Sequence, residues 1–456
     1  MAADVEQVRF DTAAGFLRVV EQQGRVTLAA ERNAQVDILL HQIRALAVDL
    51  IGPRGTPAHR DETGAWRPGS GFSIGEPPLD DGPFGIFPGH YWVNGRLCEL
   101  AERTSYLTQP YHRPAERPGP GKYLVYLDVW ERHVGAAEDP GLLEPALGGP
   151  DTCSRTQLVW QAKVLTEQEL ADRTVTDLTP DGVRAKWAAV EDGFGPLAAA
   201  GRLSARVDRT ARDPRPCLAA PSAGYTGGEN QLIRVEVFAG GPAGTATFTW
   251  AYDNASVEHR LLRVDGTSVV LSAPPFDLRK GFEVGTRVEV LSDDQVRDGA
   301  RGTLSTVVEV VDDADDYGLR LEHPVPFARD GDDGRWALLR RWDHTAVELA
   351  ADGARTITEG TPLTLDAGVQ VTFVPPSGPD APAAWTYRPG DHWTVPVRTA
   401  VGDVLWPRDP DGKPVARPPQ GVEHSYAPLA IIDVTTGAYS VADVRESIEP
   451  IAKALA

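Results

Sequence analysis

Methionine occurs once in this 456-residue chain and cysteine only three times. Cys98, Cys153 and Cys217 are an odd number at wide spacing, which argues against a disulfide framework, and no pair stands at zinc-ligand spacing. No apolar run approaches the ~20 residues that cross a bilayer as a helix. The first twenty residues carry Asp4, Glu6, Arg9 and Asp11 where a signal peptide needs an unbroken apolar stretch. A reduced, cytoplasmic protein without membrane insertion is therefore expected. Positive charge is also scarce. Lys and Arg number 45 against 65 Asp and Glu, a net charge of −20, which repels nucleic acid and anionic lipid and makes both improbable partners.

Catalytic signatures are missing as well. The ten histidines are scattered, and none pairs with another one helical turn away beside a glutamate, as a zincin requires. There is no G-x-S-x-G elbow, no Walker loop, and no G-x-G-x-x-G between a strand and a helix. Asp312 to Gly318 superficially resembles a calcium loop. Counted from Asp313, however, the fifth position is Tyr317 and the twelfth Pro324, where oxygen ligands belong. This cluster, Asp330 to Gly334 and Asp409 to Gly412 read as solvated turns. No catalytic residue, metal or cofactor is expected.

Punctuating residues, by contrast, are abundant: 45 Gly and 38 Pro, the mark of short strands joined by many turns. The fold expected is mainly β, several small antiparallel sandwich or barrel domains with one N-terminal amphipathic helix. A chain of this length exceeds a single core. The pattern divides it into a docking arm and helix (1–52), a first β-rich domain (53–220) with a helical insertion near 166–200, a second β domain (221–330) ending in a small barrel-like meander at 281–330, and a C-terminal β-rich domain (331–456). Lys122 to Trp130 is apolar on both faces and suits a strand buried between two layers. Ser447 to Ala456 reads as a frayed helix. Trp92, Trp130, Trp160, Trp250 and Trp393 fall inside strands and belong to the core by burial habit.

The best helix lies at 30–51, ended by Gly52-Pro53. Val36, Leu39, Leu40, Ile43, Leu46, Ala47 and Leu50 recur at helical spacing on one face. That stripe either covers its own domain, the commoner use of an amphipathic helix, or meets copies of itself. Four turns are too few for a coiled coil unaided.

Certain phrases are more specific. Val19 to Val26 contains Gln23-Gly24-Arg25, and Ala30-Glu31-Arg32-Asn33 leads into the helix. Tyr123 to Arg132 reads Tyr-Leu-Val-Tyr-Leu-Asp-Val-Trp-Glu-Arg and continues to Ala146 to Thr152. Gly224 to Glu236, Ala246 to Trp250 with Asp253 to Val257, and Gly390 to Trp393 running on to His424 follow in order. Together these phrases resemble an uncharacterised bacterial family encoded with contractile injection systems and related phage-tail-like particles. The Gln-Gly-Arg turn leading into a helix is also similar to some baseplate and tail-fibre proteins. The chain departs from the family's opening, with Leu28-Ala29-Ala30-Glu31-Arg32-Asn33 in place of a Leu-Asp-Ala-Asp-Trp-Asn type of phrase.

The resemblance implies a structural or attachment protein of such a particle, at the baseplate or in a fibre. Its partners would be other particle proteins, and the chain itself a homo-oligomer, with a trimer as the form suited to a fibre. Gln23, Gly24, Arg25, Glu31 and Asn33 are expected to organise the docking element, with Val36, Leu39, Leu40, Ile43, Leu46 and Leu50 as its apolar face. The plainer alternative has Gly24 and Asn33 forming only a turn and a helix cap. A receptor- or glycan-binding module would instead show exposed aromatics among the loops at 53–89 or 375–392. A cargo enzyme would show a deep pocket with converging carboxylates or histidines.

Overall fold

The computed structural model describes residues 10–76, 82–111, 118–194, 200–208, 224–275, 281–312, 316–330, 335–344, 349–379, 381–434 and 440–449. The chain is mainly β, about 40% strand and 15% helix. Among the described residues one helix exceeds a couple of turns, Ala29–Ile51, and the remaining helices are short. Two units are each assembled from separated stretches. One draws on His133–Thr156 and Leu197–Val422, the other on Val8–Arg132, Gln157–Pro196 and Glu423–Ala456. The contiguous segments expected from the sequence are thus divided differently. The 53–220 and 331–456 stretches each contribute to both units, because strands far apart in the chain pair with one another.

In the first unit, a five-stranded antiparallel sheet runs in the order Arg355–Thr356, Thr247–Ala251, Gln231–Val237, His392–Arg398, Asp403–Val404. A three-stranded sheet (Arg202–Val207, Val369–Val374, Leu363–Thr364) shares its core, which holds Val235, Phe248, Trp250, Phe373 and Trp393. Beside them a six-stranded barrel closes on itself. Its strands follow the order Ser268–Leu271, Tyr317–Leu321, Thr303–Asp312, Arg287–Ser292, Ala337–Trp342, Glu258–Asp265, and the last pairs back to the first. Inward Leu261, Val269, Val288, Val290, Val307, Leu319 and Leu339 fill it. The meander at 281–330 is therefore part of a barrel that needs 258–271 and 337–342 to close, and closure removes the exposed edges an open meander would keep.

In the second unit, Lys122–Val134 is a central strand flanked by Ser425–Asp433 and Arg155–Thr166, with Ser440–Asp443 outside. Val125, Leu127 and Val129 face a core with Phe72, Phe84, Tyr91 and Trp160. Leu124 and Tyr126 face the opposite way, against Leu170, Val183, Trp187 and Val190 of three short helices, Glu167–Asp172, Pro180–Ala185 and Trp187–Asp192. Double burial explains why this strand lacks polar alternation. A further sheet holds Trp66–Pro68, Arg54–Arg60, Gly89–Val93 and Arg96–Leu100. Ser447–Ile448 joins it as a strand parallel to Thr56 and Pro57, which corrects the helix expected there. The neighbouring strands leave Thr56 and Pro57 out of their ladders, and the Thr56 amide donates to Glu446 O at 3.0 Å, a backbone partner that a frayed end otherwise lacks. Residues 450–456 lie outside the described residues.

Candidate functional site

The long helix begins one residue before the sequence pattern places it and ends as expected, with the Gly52 amide donating to Val48 O at 2.8 Å. At its start the Leu28 amide donates to the Glu31 carboxylate at 3.2 Å, which also sets a negative charge against the helix N-terminus. One line of residues, Ala30, Ala34 and Ile38, is buried. Farther along, Arg44 donates to Glu131 at 2.6 Å on the strand Lys122–Val134. Gly95, at a positive φ of 73°, lies so close beneath that a Cβ there would stand 2.7 Å from Arg44 O. Burial raises the Asp37 carboxyl above its ordinary range, and Arg44 pulls it back only in part. The arm is tied to the helix where the Val19 amide donates to Gln35 Oε1 at 2.8 Å, and where the Phe10 and His41 rings lie 5.7 Å apart.

The opposite face is uncovered. Val36, Leu39, Leu40, Ile43, Leu46 and Leu50 are between 38% and 59% exposed. Successive helical positions turn by about 100°, which sets this stripe roughly half a turn from Ala30, Ala34 and Ile38. Two small alanines and one isoleucine therefore do the packing, and the larger apolar residues face water. This overturns the commoner use of such a stripe, as cover for its own domain. In the arm, Phe16, Leu17, Val20 and Val26 are at least 67% exposed.

The polar residues expected to organise docking fall in two places. Gln23 and Arg25 are exposed around Gly24, whose φ of 72° makes the turn, with the Arg25 amide donating to Gln22 O at 3.3 Å. Glu31 occupies the first helical turn. Asn33 is exposed inside the helix and so is not its cap; Glu31 makes the cap-type bond instead.

Two polar clusters were not apparent from the sequence. In the second unit, buried Asp128 accepts from Lys163 Nζ at 2.7 Å and pairs with His424 Nδ1 at 2.6 Å, and the Trp130 and Tyr426 rings flank the imidazole. In the first unit, Glu236 is buried between Arg234 and Arg301. Burial alone would raise its carboxyl, but the two guanidiniums hold it below the usual range. Nearby Glu289 accepts from Trp342 Nε1 at 3.0 Å and from Arg340 at 3.4 Å, while Arg340 also binds Glu258 at 2.7 Å. Apart from Arg234 and Glu236, two residues apart on one strand, these partners are far apart in the chain, Asp128 and His424 by 296 positions, and carry no local spacing signal. Among the described residues, no group of three or more His, Cys, Asp or Glu could hold a metal. Asp409 to Gly412 is a turn, with the Gly412 amide on Asp409 O at 2.9 Å. Residues 313–315 and 331–334 of the other two acidic stretches lie outside the described residues.

Aromatic residues are mostly interior. Trp130, Trp160, Trp250 and Trp393 are buried and Trp92 half-buried. In the loops where a receptor- or glycan-binding module would show exposed aromatics, Trp385 and Tyr387 are buried and Trp66 half-buried under Arg60. Phe16 in the arm is the one strongly exposed aromatic among the described residues. Comparison with curated proteins and with solved structures finds no match. One family model aligns in two consecutive stretches covering residues 1–200 and 196–447, and the chain therefore belongs to the family of unknown function DUF6519.

Proposed function

We propose that this protein is a structural or attachment component of a contractile injection, phage-tail-like particle, held at the baseplate or in a fibre-like appendage by its N-terminal arm and helix. The support is the apolar stripe from Val36 to Leu50, exposed on a helix whose other side is anchored by Ile38 and by the Arg44–Glu131 ion pair. Contiguous exposed apolar surface of this kind marks a contact surface on soluble proteins. The resemblance of its ordered phrases to particle-encoded proteins supplies the setting. A body of β-sheets and a closed barrel, tied by buried ion pairs, suits a part that keeps its shape under load. The role is non-enzymatic, and the partners are baseplate or fibre proteins. The test is mass spectrometry of intact particles sedimented from a producing cell. The chain is expected in fixed ratio to the sheath and tube proteins. Its absence from washed, intact particles overturns the proposal.

A further inference from the structure

We infer that the exposed face of the long helix is covered by the same face of a second copy of this chain, the two helices lying side by side in parallel. The inference rests on the assembly role just proposed and names the partner of that surface.

The stripe has the period of a coiled-coil seam. Val36, Ile43 and Leu50 recur every seven residues, and Leu39 and Leu46 fall between them at alternating steps of three and four. β-Branched residues at the first of these positions with leucine at the second are the combination used by two-stranded parallel coils. Leu50 alone departs from it. The seam itself is uncharged, and of its flanking residues Gln35, Gln42, Leu40 and Ala47 are neutral and Asp49, at the helix's last turn, is charged. On a chain of net charge −20, a strip with a single flanking carboxylate is where two like copies meet with little repulsion.

Two heptads are ordinarily too short to pair, because forming the helices costs conformational entropy. Here the helix is already formed and fixed: Ala30, Ala34 and Ile38 are buried, and Arg44 is held by Glu131. Association therefore orders little that is not ordered beforehand. Geometry permits it as well. The seam lies on the face of the helix opposite Ala30, Ala34 and Ile38, which are the residues buried in its own unit.

The test is the mass of the full chain in solution by light scattering, beside Ile43→Lys, Leu46→Ser and an arm control, Val26→Lys. All three positions are exposed in the single chain, and circular dichroism with thermal melting verifies each fold. The wild type is expected at twice 49.2 kDa. Ile43→Lys and Leu46→Ser are expected at half the wild-type mass with an intact fold, and Val26→Lys at the wild-type mass. A trimer that falls to one chain in Ile43→Lys keeps the seam but overturns the two-stranded packing. A pair broken by Val26→Lys and not by Ile43→Lys overturns the seam. A wild type monomeric at every soluble concentration overturns self-association and leaves the particle role to the sedimentation experiment.

Discussion

Arg44 and Glu131 meet at 2.6 Å, and the same carboxylate oxygen accepts from Arg96 Nε at 2.8 Å. Glu131 is thus the point where the long helix, the central strand and the hairpin strand Arg96–Leu100 converge. Glu131→Gln is expected to cost about 2 kcal/mol. The partly exposed Arg44 pair accounts for the smaller share because water screens it. The larger share comes from Arg96, buried and left with a weaker partner. Urea unfolding measures the loss. Hydrogen exchange should show it in Arg96–Leu100 and, to a smaller extent, in Ala29–Ile51, and unchanged protection of the helix would mean that Arg44 does not hold it.

The two described thiols should differ sharply in reactivity. Cys153 is exposed, and Arg155 beside its sulfur holds the thiol below its ordinary pKa, so the thiolate is favoured. Cys98 is enclosed in the core and burial pushes it up to about 12. Alkylation of the native protein at neutral pH, followed by peptide mass spectrometry, should label Cys153 in minutes and Cys98 only after denaturation. Fast native labelling of Cys98 would contradict the packing around Phe72 and Trp160.

The strand Lys122–Val134 was legible because its apolar residues occupy both parities, and the long helix because its stripe has a 3.6-residue period and a Gly-Pro stop. Which side of the helix faces inward was not. Pattern reading gives weight to large side chains, whereas the line of the helix that is buried consists of the small Ala30 and Ala34 with Ile38. The division into units was hidden for another reason. Ser425–Asp433 pairs with Lys122–Val129 across some 300 residues, and nothing local records such a register. Within the barrel, the pairing of Val269 with Leu319 is likewise non-local. The Asp128–His424 pair and the Glu236 network depend on that same long-range pairing, so single acidic residues gave no warning of them.

His344 should make folding sensitive to acid. Its Nε2 lies 3.0 Å from Gly353 O, its Nδ1 is buried without a partner, and burial lowers its pKa to about 4 from 6.5. Between those values the unfolded chain binds a proton that the folded chain refuses. Stability is therefore fully present above pH 6.5 and is lost as pH falls toward 4, by roughly 2–3 kcal/mol from this residue. His133 and His259, also lowered to about 4, act in the same direction. Urea midpoints between pH 7 and 4.5 should fall steeply in the wild type and less steeply in His344→Gln.

Asp391 should work against that trend. Burial raises its carboxyl to about 6 from 3.8, the nearby Glu236 charge adds to the rise, and Arg388 opposes it. Its Oδ2 is buried with no hydrogen-bond partner. The folded chain thus holds the proton more tightly than the unfolded chain. Its contribution to stability is fully present below pH 3.8 and is lost as pH rises through 6. At pH 7 the carboxylate is an ionised group kept from water, and Asp391→Asn should stabilise the protein there by about 1–3 kcal/mol. Near pH 4 the two chains should differ little, since Asp391 is then already neutral in the fold. A variant equally stable to the wild type at both pH values would show that water or a cation satisfies the carboxylate, and that its burial carries no penalty.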